Sequence, residues 1–60
     1  MNDADRLVLN ALADCEQSEG EIRVSTGLAK WELRPALRRL YDLGLIQSQV
    51  EQTETFWRLA

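Results

Sequence analysis

Sixty residues suffice for one domain with one small core, and a chain of this length buries only about 60% of the surface it exposes when unfolded, which excludes a large enclosed active site. The 45% of apolar and 28% of charged residues are those of a globular chain rather than a disordered one. The net charge of −3 hides a polarised distribution: residues 1 to 21 hold Arg6 against six acids, whereas residues 22 to 44 hold Arg23, Lys30, Arg34, Arg38 and Arg39 against Glu32 and Asp42.

The chain opens Met1-Asn2-Asp3-Ala4-Asp5, acidic where a secretory signal is basic, and no apolar run approaches the ~18 residues of a membrane span, so the cytoplasm is the expected compartment. Asn2 or Asp3 can cap a first helix over about residues 3 to 15, in which Leu7, Val8, Ala11, Leu12 and Cys15 fall at helical spacing. Its other side, Asp5, Arg6, Asn10 and Asp14, reads as a solvated face. Cys15 is the only cysteine and there is no histidine, which removes the usual zinc ligand sets and any internal disulfide; no metal and no cofactor are expected.

Glu16-Gln17 is a short connection. Ser18-Glu19-Gly20-Glu21 fits a capping box, so a second, short helix starts at Glu19, with Ile22 as its main core residue and Val24 or Ser25 in its last turn. Gly27 stands where a left-handed residue ends a helix, making Thr26-Gly27-Leu28 a tight turn. The third helix, about residues 30 to 43, has Ala29 in place of a good cap but Glu32 at its third position. Pro35 removes a backbone donor, so either the helix kinks there or its regular part begins only near Arg34; the favoured reading is a tight first turn over Lys30 to Leu33 and a regular helix from about Arg34 to Leu43, closed by Gly44. Leu33, Ala36, Leu37, Leu40 and Leu43 crowd onto one side of it, leaving Lys30, Arg34 and Arg38 together on another. Leu45 to Val50 and Thr55 to Leu59 are strand candidates joined by the polar loop Glu51-Gln52-Thr53-Glu54. Period two places Ile46 with Val50, and Trp57 with Leu59 on the face opposite to Phe56 and Arg58, so Trp57 and Leu59 are expected to cap the helical core.

The order of elements, with Ile22 and Thr26-Gly27-Leu28 in the turn, Ala36-Leu37-Arg38-Arg39-Leu40, Leu43-Gly44-Leu45-Ile46 and the closing Phe56-Trp57-Arg58-Leu59, resembles the winged helix-turn-helix superfamily over nearly the whole chain. Within it the chain looks like the small single-domain bacterial regulators of fimbrial operons, of the PapI and PefI kind. The resemblance implies an α+β, mostly α fold: a single domain over residues 1 to 60, three helices and then a two-stranded antiparallel hairpin. A short third strand is left open, because Gln17 stands where many members place an apolar residue.

It also implies a sequence-specific DNA-binding transcriptional regulator. Lys30, Trp31, Arg34, Pro35 and Arg38 would face the major groove, with Arg39 and Tyr41 near the flanking backbone. The wing, Gln49 to Thr55, carries Glu51 and Glu54 and no Lys or Arg, so it would not grip phosphate. With so few cations the expected partners are double-stranded DNA together with a second copy or a partner regulator, and no small-molecule ligand is evident. The alternative is a winged-helix protein-interaction module acting through Trp31, Phe56 or the acidic first helix. Trp31 itself reads either as packing against the first turn or as an exposed anchor. Without histidine, and with Ser18 explained by its cap, no nucleophile or acid-base set stands out, and an enzyme is not expected.

Overall fold

A computed structural model describes residues 2 to 60. It contains α1 (Asp3–Asp14), β1 (Gln17–Ser18), α2 (Glu19–Thr26), α3 (Lys30–Asp42), β2 (Ile46–Glu51) and β3 (Glu54–Leu59). The strands form one antiparallel sheet in the order β1-β3-β2, so the third strand that the sequence leaves open is present. The three helices enclose a core of Val8, Leu12, Ile22, Leu33, Ala36, Leu37, Leu40 and Ile46, with Ala4, Leu9, Leu28 and Trp57 packed around it.

Local chemistry sets most of the boundaries. The Asn2 side chain accepts from the Asp5 amide at 2.9 Å and starts α1. At α2 both halves of the capping box form: the Ser18 amide donates to Glu21 Oε1 at 2.9 Å, and the Glu21 amide donates to Ser18 Oγ at 3.3 Å. Ser18 is buried as well. Ser18→Ala is therefore expected to cost about 1 kcal/mol, the usual worth of a helix cap, read as a lower urea midpoint with an unchanged slope. Gly27 takes φ 73° and its amide returns to the Arg23 carbonyl at 2.8 Å, ending α2. At the end of α3 the amides of Gly44 and Leu45 return to the carbonyls of Tyr41 and Leu40, both at 3.0 Å, with Gly44 at φ 76°. That double return is a Schellman closure, and it turns the chain sharply into β2.

Four expectations from the sequence are corrected. Helix α1 stops at Asp14, and Cys15 adopts an extended conformation with φ −165°, so its side chain is exposed instead of facing inward. Asp5, placed by pattern on the solvated side of α1, is buried; it shares the Asp5, Val8, Leu12 stripe, spaced three and four residues apart, that faces the core. Helix α3 runs unbroken through Pro35 from Lys30. Its start is tight only in that the Ala29 carbonyl accepts from both Glu32 and Leu33 amides at 2.9 Å, and Pro35 itself lies on the exposed side of the helix. Finally, Leu43, Val50 and Leu59 are exposed. Leu43 lies past the last helical residue and Val50 lies toward the hairpin tip, beyond Ile46 and Trp57, which reach the core; Leu59, although paired with Ile46 at the hairpin base, is the last residue of β3 and stays 40% exposed.

Gln17 has a part that an apolar residue could not play. Its Nε2 donates to the Ala11 carbonyl at 2.8 Å, and its Oε1 accepts from Ser25 Oγ at 3.2 Å. One carboxamide thus satisfies a carbonyl near the end of α1 and joins it to α2, at the residue that stands opposite Trp57 in the β1–β3 ladder.

Candidate nucleic-acid interface

Helix α3 buries Leu33, Ala36, Leu37 and Leu40 and turns the opposite side to solvent. Lys30, Trp31, Arg34, Pro35 and Arg38 are all exposed on that side. The helix carries them because its i, i+3, i+4, i+7 leucine and alanine seam fixes its rotation against α1 and the sheet. An open groove of about 600 Å3 separates α3 from the wing, lined by Ser18 and Glu19 at the start of α2, by Arg34, Arg38 and Tyr41 of α3, and by Thr53, Glu54 and Thr55 of the hairpin.

The cations of α3 have different partners. Arg34 Nε lies 3.4 Å from Glu19 Oε1, and Arg38 Nε lies 3.1 Å from Asp42 Oδ2 one turn on. The Arg38–Asp42 pair is largely solvated, its side chains being 80% and 57% exposed, so it is worth only about 0.3–0.5 kcal/mol and gives way readily to a competing anion; in the other pair Arg34 is 66% exposed but Glu19 only 35%. Lys30 makes no ion pair among the described residues. The first turn of α3 also lacks a side-chain cap, although Glu32 Oε1 accepts from the Ala29 amide at 3.0 Å.

Arg39 is different. Its Nε donates to both oxygens of Asp5 at 3.3 Å, and its Nη2 donates to Asp5 Oδ1 at 2.8 Å, a two-pronged clamp between α3 and α1. The Asp5 side chain is only 8% exposed. Hydrogen bonding to Asp5 holds the Arg39 guanidinium above the usual arginine range, with partial desolvation opposing it and the carboxylate's charge adding to it. A raised cation pKa gives stability that is complete below the unfolded value and lost only above the folded one; for arginine both lie beyond ordinary working pH, so from the arginine side the clamp is insensitive to pH. Tyr41 stands edge-on to Trp57, ring centroids 6.3 Å apart and planes at 87°, which ties the end of α3 to the sheet. Arg39 is thus committed to α1, and Tyr41, which also lines the groove, meets the sheet through Trp57; Lys30, Trp31, Arg34, Pro35 and Arg38 share the open face, two of them in surface ion pairs.

Three contacts lie beyond what the sequence predicts. Arg34 meets Glu19 from another helix, Arg39 meets Asp5 from 34 positions away, and Arg58 lies over Gln47 and Gln49 on the outer sheet face with Glu16 Oε2 3.9 Å from its Nη1. Only the second has a legible signal, the helical spacing of Asp5 with Val8 and Leu12.

The wing differs from the rest of the surface. The ladder between β2 and β3 sets Glu51 directly opposite Glu54, and Gln52 next to them takes φ 57° in the two-residue turn. Two carboxylates therefore flank the hairpin tip without a cation between them.

Three helices, the second and third joined by a glycine turn, followed by a hairpin that completes a small antiparallel sheet, make this a winged helix-turn-helix fold. No protein-family profile and no curated protein sequence matches the chain. Among solved structures it is similar to the transcriptional repressor BigR from Xylella fastidiosa, with a TM-score of 0.92 and 22% sequence identity over 98% of this chain. The chain spans 58% of the length of that repressor, and the likeness is one of fold. No helix among the described residues is long and apolar enough to cross a membrane.

Proposed function

We propose that the protein is a sequence-specific DNA-binding transcriptional regulator that acts in the cytoplasm by laying α3 in the major groove. The observation that carries this reading is the single exposed ridge of Lys30, Trp31, Arg34, Pro35 and Arg38 on a helix whose opposite side is locked in the core. Guanidinium groups fork onto guanine edges or phosphates, and a helix of this width enters the major groove of B-form DNA. Arg34 and Arg38 pair with Glu19 and Asp42 while remaining 66% and 80% exposed, open to an incoming anion. Arg39 and Tyr41, near the flanking DNA backbone, chiefly hold the helix at its angle. Three free or loosely held cations give a modest salt slope, about −0.9 for each phosphate neutralised, so strong binding requires two half-sites occupied by a dimer, or a partner regulator. Titration of labelled promoter DNA at low and moderate salt tests the reading; DNA binding that is absent at low salt overturns it.

A second reading is favoured by the wing. Glu51 opposite Glu54 suits a basic protein partner better than phosphate, and with it the fold would serve as a protein-interaction module. One variant separates the two. If α3 binds DNA with the wing nearby, Glu51→Gln with Glu54→Gln should raise affinity roughly threefold or more at low salt, with the gain shrinking as salt rises. If the wing instead holds a basic partner, the same change leaves DNA unaffected and weakens that complex. The hairpin itself should gain slightly, since like charges directly opposite are unfavourable.

A further inference from the structure

Trp31 is 77% exposed, an unusual position for the largest apolar side chain, and it stands apart from the residues packed around the core. The contrast with Trp57 is direct: that indole packs on the core and has Tyr41 edge-on against it. Trp31 is the second residue of α3, in the turn that comes closest to base edges when such a helix enters the major groove. Along the helix axis it precedes Arg34 by about 4.5 Å, which is between one and two base steps. An indole offers a broad apolar surface and one N–H donor. In the major groove the apolar feature that distinguishes one base from the others is the C5-methyl group of thymine.

We propose that Trp31 is a specificity-determining residue that covers a thymine methyl group, so that the sites this protein selects hold a thymine within two steps of the base pair met by Arg34. The inference rests on α3 being the DNA-reading helix. It assigns the cations and the indole separate parts: Arg34 and Arg38 supply guanine or phosphate contacts, and Trp31 adds discrimination that salt does not screen.

Deoxyuridine tests this, because it lacks only the methyl group. Duplexes enriched by the full chain from a randomised pool are re-made with each thymine in turn replaced by deoxyuridine, and binding is measured for wild type and Trp31→Ala. The variant should fold normally, since the side chain it removes is exposed. One replacement is expected to weaken wild-type binding about fourfold, the worth of one buried methyl, and to leave Trp31→Ala unchanged. If sites are enriched but no replacement distinguishes the two proteins, or if Trp31→Ala binds the intact site as tightly as wild type, the role of Trp31 is overturned while DNA binding stands. If no sequence is enriched and the pool is not bound, the DNA reading itself falls.

Discussion

Replacing Arg34 and Arg38 together by alanine is expected to weaken DNA binding thirtyfold or more while leaving the fold intact. Each arginine forked on a guanine edge contributes about 1–3 kcal/mol of discrimination, so even the lower figure for both gives roughly that loss. The effect is compounded on the protein side: without the arginines, Glu19 and Asp42 stay on the binding face with no cation beside them. The change costs the fold little, because both arginine side chains are exposed, at 66% and 80%, and alanine favours a helix. Circular dichroism should therefore match wild type when binding has gone. The salt dependence adds a second readout. If the arginines grip phosphate, the slope of affinity against salt flattens by about 0.9 for each phosphate that is no longer neutralised; if they read bases, affinity falls at constant slope. Equal binding by wild type and the double variant would remove α3 as the reading helix.

Leu33→Ala should destabilise the fold severely. Leu33 is fully buried, in one core cluster with Val8 and Leu12 of α1 and Ile22 of α2. Truncating a buried leucine costs about 2–5 kcal/mol, of which the cavity left behind is a large part. A core in a chain of this size rarely supplies more than about 3–5 kcal/mol in total, so the variant should be substantially unfolded at 25 °C or melt at least about 10 °C lower. DNA binding would then fall with the folded fraction, in contrast to the arginine variant, in which binding falls and the fold stays. A thermal midpoint within about 3 °C of wild type would contradict the packing described for α3.

Much of the fold is legible because its boundaries are set by neighbours in sequence. The Ser18 and Glu21 box, the left-handed Gly27 and the closing Gly44 each act over a few residues, so all the groups involved lie within one short stretch of chain. The buried seam of α3 is equally plain, since one residue in every three or four is leucine or alanine. Pattern and structure part where two local signals compete. Pro35 favours a break, but tertiary packing of Leu33, Ala36 and Leu37 on both sides of it keeps the helix whole. Val50 has the period of an inner-face residue, yet the hairpin outruns the core that would have covered it. The polarity of Asp5 points outward and its spacing inward, and the spacing prevails because Arg39 supplies a partner for the buried carboxylate.

Three helices and a hairpin in winged-helix order are written in the sequence, as is the grouping of Lys30, Arg34 and Arg38, because helical periodicity fixes which residues share a side; Trp31 and Pro35 join them in the sequence reading only through the resemblance. How those residues divide is settled by the folded chain. Arg39 is drawn to Asp5 on α1, Arg34 to Glu19 on α2, Tyr41 to Trp57 on β3, and Trp31 is left standing in solvent. The physical reason is that a charge or an aromatic ring is indifferent as to which neighbour it meets until the chain has folded. The contacts that separate a clamp from a candidate reading residue join positions far apart in sequence, and no local pattern records them.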